Sequence, residues 1–113
     1  MKTASLLKGL EYNKSKPVIK VLFDTSFTKE IRIAMKAGTA MKKHQTGFPI
    51  VIEMVDGHLD FGVNNETLDL QKGDLIALEA GVPHDLKAKT DCIVRLTLTK
   101  YDTPERVENL TKK

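Results

Sequence analysis

Gly38-Thr-Ala-Met-Lys-Lys-His44-Gln-Thr46-Gly-Phe-Pro-Ile50-Val-Ile-Glu-Met-Val-Asp-Gly57 and Gly73-Asp-Leu-Ile-Ala-Leu-Glu79-Ala-Gly81-Val-Pro-His84 are the two stretches that decide the fold. Glycines frame both, and each carries one histidine. Ile50–Val55 and Leu75–Leu78 read as strands because they are short, apolar and bounded by turn residues. Asp56-Gly57 is a hairpin signal, with Leu59–Val63 continuing after it.

The same grammar extends outward. Ile31, Ile33 and Met35 share one parity, and Arg32, Ala34 and Lys36 share the other, which is the period of a half-buried strand. Val18–Phe23 is apolar and β-branched around Lys20. Asn64-Asn65 and Lys72-Gly73-Asp74 are turns on either side of Leu68 and Leu70. His84, Leu86 and Ala88 alternate with Asp85, Lys87 and Lys89, and Cys92–Thr99 is the last strand. About eight or nine short strands at close spacing predict an all-β sandwich or barrel. Two short terminal helices are expected. One is carried by Leu6, Leu7 and Leu10; the other spans Thr103–Leu110, with Thr103 as its cap and Pro104 in the first turn.

Composition narrows the function. A chain of 113 residues suits one domain, here 1–113 with a barrel core at about 18–100. The net charge of +3 is spread among both signs without a long like-charged run, and Trp is absent, so a nucleic-acid partner is not expected. No stretch approaches the ~18 apolar residues of a membrane span. Cys92 is the single cysteine and has no internal partner, which fits a reducing, cytoplasmic setting. It shares the parity of Val94 and Leu96, as a buried inert thiol would.

These residues resemble the cupin family, whose motifs run G-x5-H-x-H-x3,4-E-x6-G and G-x5-P-x-G-x2-H-x3-N. The chain is similar to small single-domain, RmlC-like cupins over roughly Val18 to Lys100. Both glycine patterns are kept, as are His44 and His84. Thr46 stands at the second histidine of the first motif and Ile50 at its glutamate; Glu79 replaces the proline and Ala88 the asparagine of the second. The resemblance implies a double-stranded β-helix, or jelly roll, with an interior pocket. It also implies a homodimer paired through sheet edges, with the strand around Val18–Phe23 at the interface.

Family metal sites use three histidines and a glutamate, of which this chain keeps only His44 and His84. Gln45 and Glu53 have the parity that faces away, and His58 belongs to the far end. Glu79 is the remaining carboxylate near the mouth. Two readings follow. Either the histidines are polar groups of a small-molecule pocket, or they hold one divalent transition metal (Zn, Ni, Fe or Mn) weakly. An enzyme of dioxygenase, isomerase or lyase type would need an additional, nonstandard ligand. By parity, Thr46, Ile50, Ile52, Met54, Met35 and Leu86 are the expected pocket lining, although the apolar ones suit an ordinary core equally well. Lys42-Lys43 at the rim would draw in an anion or simply face solvent.

Overall fold

Alternation and β-branching produce nine strands: β1 (Val18–Asp24), β2 (Thr28–Met35), β3 (Ala40–His44), β4 (Ile50–Asp56), β5 (His58–Val63), β6 (Glu66–Gln71), β7 (Leu75–Leu78), β8 (His84–Ala88) and β9 (Cys92–Thr99). This computed structural model describes residues 1–100. The helix expected over Thr103–Leu110 lies outside the described residues. Two antiparallel sheets face each other, one in the order β1-β2-β9-β4-β7 and the other β3-β8-β5-β6. The chain changes sheet at every connection except β1–β2 and β5–β6. This is a jelly roll, in which repeated crossing closes the two sheets around one interior.

The side chains between the sheets follow parity. Ile31, Ile33 and Met35 of β2, Ile50, Ile52 and Met54 of β4, and Leu59, Phe61 and Val63 of β5 form one buried cluster. Leu86 and Ala88 of β8 and Cys92 and Val94 of β9 complete it. Among the described residues, no helix is long and apolar enough to cross a membrane.

Four sequence readings are corrected. Asp56-Gly57 does not make a hairpin: β4 pairs with β7 and β9, whereas β5 pairs with β6 and β8. Gly57 is instead the corner between sheets, at φ 91°. A Cβ there would fall on the Asp91 carbonyl oxygen and 2.9 Å from Cys92 Cα, because the chain entering β9 crosses directly over it. The true hairpin turn is Asn64-Asn65, where both residues have positive φ, as a two-residue turn requires and asparagine tolerates. β3 escaped the sequence reading because its alternation breaks: the register with β8 shifts between Met41 and His44, placing Lys42 and Lys43 opposite Asp85.

The N-terminal helix is absent as well, and no helix occurs among the described residues. Ser5 Oγ accepts from the Leu7 and Lys8 amides, and Gly9 at φ 66° ends the turn after a single loop. The Arg32 guanidinium donates to the carbonyls of Lys8 (2.8 Å), Gly9 (3.2 Å) and Leu6 (3.4 Å). This turn covers the outer face of β2, so the strand is buried on both sides rather than one, with Arg32 only 3% exposed. Glu30 is buried beside it, accepting from Arg95 Nε and the Thr97 hydroxyl.

The five-stranded sheet is one strand wider than the other. Ile19 and Val21 of β1 are in register with core-facing Ile33 and Ile31. Nevertheless they are 57% and 47% exposed, because β1 overhangs the facing sheet.

Gly57→Ala combines left-handed strain with a backbone collision and is expected to cost at least about 2 kcal/mol. Gly38→Ala, at φ 89° with nothing within 4 Å of the added methyl, is expected to cost only about 1 kcal/mol. Urea unfolding of both variants checks this; equal losses would contradict the crossover at Gly57.

Candidate functional site

His44 is the last residue of β3 and His84 the first of β8, and the two are direct cross-strand partners. Strand pairing thus brings together two residues that are 40 positions apart in sequence. Their rings meet edge to face, with centroids 4.4 Å apart and planes at 62°. Phe61 stacks on His84 at 5.6 Å and fixes it against the core.

Each imidazole is also oriented by its own strand end. His44 Nδ1 lies 2.7 Å from the Lys42 carbonyl oxygen, and His84 Nδ1 lies 2.9 Å from that of Val82. A carbonyl oxygen only accepts, so each Nδ1 carries hydrogen and donates. Neither Nε2 has a hydrogen-bond partner among the described residues. Burial pushes the His84 pKa below its ordinary value; the bond to the Val82 carbonyl and nearby Asp85 act the other way, and His44 adds to the lowering. Burial thus favours the neutral ring, whose Nε2 lone pair can accept.

Leu96 and Leu98 of β9 and Ile76 and Leu78 of β7 are in register with core-facing Ile52 and Ile50. Leu68 is in register with Phe61, and Met41 with Leu86. These six and Val82 pack against the core yet remain partly exposed. Leu78 and Leu98 lie at the mouth, the end of the barrel where β3 ends and β8 begins, and Met41, Leu68 and Ile76 lie one step deeper on the edge strands β3, β6 and β7. Sequence parity carries no information on depth along the barrel.

Of the residues expected from sequence, His44 and His84 come together at this mouth. Ile50, Ile52, Met54, Met35 and Leu86 lie below it, each at most 2% exposed within the core cluster. Thr46 is half-buried at the rim. Its hydroxyl donates to the Phe48 carbonyl (2.7 Å), and its own carbonyl accepts from the Gly81 amide (2.8 Å), tying the β3–β4 loop to the β7–β8 loop. Glu53 faces outward to Arg95, Gln45 and Glu79 are exposed, and His58 sits at the opposite end near Asp69. Cys92 is fully buried. Its thiol shares its one hydrogen between the carbonyls of His58 (3.0 Å) and Thr90 (3.1 Å), and burial raises its pKa, which favours the unreactive protonated form.

Two imidazoles with Nδ1 held by backbone carbonyls have the outer arrangement of metal ligands. The rest of the donor set does not fit a tightly held metal: among the described residues, no group of three His, Cys, Asp or Glu side chains converges.

Residues 31–100 match the family model of the cupin domain. The chain belongs to the cupin family. It is similar in structure to a conserved protein of unknown function from Streptococcus pyogenes, with 18% identity, TM-score 0.76 and 90% of each chain covered. An RmlC-like cupin from Desulfovibrio desulfuricans has 20% identity and TM-score 0.80, with 88% of this chain and 96% of that one covered. A Thermus thermophilus protein has 22% identity and TM-score 0.79, covering 88% and 98%. At these identities the likeness establishes the fold alone. No curated protein sequence matches the chain.

The lowered His84 pKa has a definite sign for stability. Above the unfolded value of about 6.5 it has no effect; below it, the unfolded chain takes up a proton that the folded chain resists. Stability is therefore expected to fall as pH drops from 7 toward 5. His84→Gln should remove part of that slope. Asp24, Asp69 and Asp91 have lowered pKa values, so their contributions are lost only below about pH 4. Urea midpoints at pH 7 and pH 5.5 check this; equal slopes in wild type and variant would show that His84 does not titrate in this window.

Proposed function

We propose that this cupin binds a small molecule at the barrel mouth, gripped by the Nε2 atoms of His44 and His84 over an apolar floor. The observation that carries the reading is the pair of Nδ1–H···O=C bonds, which turn both free ring nitrogens into acceptors at the mouth. Such a site selects a ligand that offers hydroxyl or N–H donors beside an apolar body. Thr46 holds the rim in shape through its two loop contacts.

The same bonds support a second reading, in which a divalent transition metal is held weakly by the two imidazoles and completed by water or ligand oxygens. Chemistry that requires a tightly held metal is not part of the proposal, because the donor set is too small. The lone buried thiol supports a cytoplasmic place of work.

Replacing both histidines with alanine separates these readings. Ligand screening by thermal shift should give hits on wild type that the double variant loses. A ligand at one hundred times its Kd adds ~2.7 kcal/mol, enough to see as a shifted midpoint. Titration with Zn²⁺ or Ni²⁺ alone should give at most weak binding that is also lost in the double variant. Hits that bind both proteins equally would refute the site.

The overhanging face of β1 supports a homodimer. Ile19 and Val21 continue the core's apolar face, and a second copy would cover them. Ile19→Lys with Val21→Lys is expected to shift the sedimentation mass from dimer to monomer while the fold persists. A wild type that sediments as a monomer would overturn this assembly.

A further inference from the structure

The mouth carries a charge that its histidines do not explain. Lys29 is in register with Leu98, and two residues further along β2 Ile31 is in register with Leu96. Leu96 and Leu98 face the interior, so Lys29 does too. It is the charged residue that interrupts the apolar inner row Ile31-Ile33-Met35 at the mouth end. The neighbouring acid, Asp24, is bonded to Lys100. Among the described residues, Lys29 has neither a hydrogen bond nor an ion pair, although it is half-buried. A surface hollow of about 370 Å³ lies beside it, walled by Phe48 and Leu98 and edged by Ser26, Thr99 and Lys100. Phe48, a large apolar ring, is 41% exposed there.

Charge and shape point to one class of occupant. Lys29 shares the charge of Asp24 with Lys100, which holds the carboxylate in a direct bond, so the Lys29 ammonium keeps capacity for a further anion. The phenyl and leucyl walls favour an apolar or aromatic body. Lys42 and Lys43 do not compete for the anion, since they lie opposite outward-facing Asp85 and Lys43 lines a hollow on the outer surface.

We infer that Lys29 is a specificity residue of the mouth, receiving the acidic group of a small organic acid whose apolar body rests on Phe48 and Leu98. This rests on the reading of the mouth as a ligand site and narrows its ligand to an acid that also carries a hydroxyl or N–H for the histidines. Lys29 contributes charge recognition, and the histidines recognise the donor.

The test uses 4-hydroxyphenylacetate and its uncharged methyl ester as probes, titrated into the full chain and followed by amide NMR shifts. Wild type is expected to bind the acid about tenfold or more tightly than the ester. Lys29→Met, which keeps the apolar stem, should bring the acid down to the ester and leave the ester unchanged. His44→Ala/His84→Ala should weaken both. Equal binding of acid and ester that is lost only in the histidine variant would overturn the role of Lys29 and leave the histidine site standing. Acid binding that survives the histidine variant and is lost in Lys29→Met would do the reverse. Absence of saturable shifts with either probe would overturn the acid subsite.

Discussion

Two sheets packed face to face share a single layer of side chains, and that layer dictates what every strand must carry. Each strand sends alternate residues inward, so one parity must be apolar for as long as the interior is closed. From Met35, Met54 and Val94 at the closed end, the inward row is uninterrupted through Ile33, Ile52, Phe61 and Leu86. It changes character where the barrel opens, at Lys29, Glu66, His44 and His84. Polar groups on the inward face are costly unless satisfied. Both histidines meet that cost halfway, through Nδ1, and leave the other nitrogen for a ligand.

The corners make this arrangement possible. Gly57 changes sheet within one residue because no Cβ stands in the way of Asp91 and Cys92. Arg32 binds the carbonyls of the N-terminal turn and so seals the outer face of β2. Neither device touches the mouth, yet both hold the sheets whose separation sets its width.

Most of the fold was legible because alternation is a local signal: Ile31, Ile33 and Met35, or His84, Leu86 and Ala88, declare their face from five residues. Three features were not local. Asp56-Gly57 has the chemistry of a hairpin turn, and only the positions of β8 and β9 make it a corner. Ala40–His44 hides its strand behind a bulge opposite Asp85. Leu6, Leu7 and Leu10 have helical spacing, but Gly9 and the Arg32 guanidinium hold their segment in a turn. Of the site, the motif positions gave His44 and His84, while their Nδ1 partners, the partly open row Leu78, Leu96 and Leu98, and Lys29 needed the strand register. Parity tells which side a residue faces, and only the paired strands tell how deep it lies.

The central claim is that both histidines present an unprotonated Nε2 to the mouth. Long-range ¹H–¹⁵N NMR of the imidazole rings at pH 8 reads this directly, because a ring nitrogen with and without hydrogen resonates in different places. The account predicts that His44 and His84 both carry hydrogen on Nδ1 and none on Nε2. Hydrogen on Nε2 of either ring would mean that the backbone bonds do not set the tautomer, and the proposed grip on a donor ligand would fail.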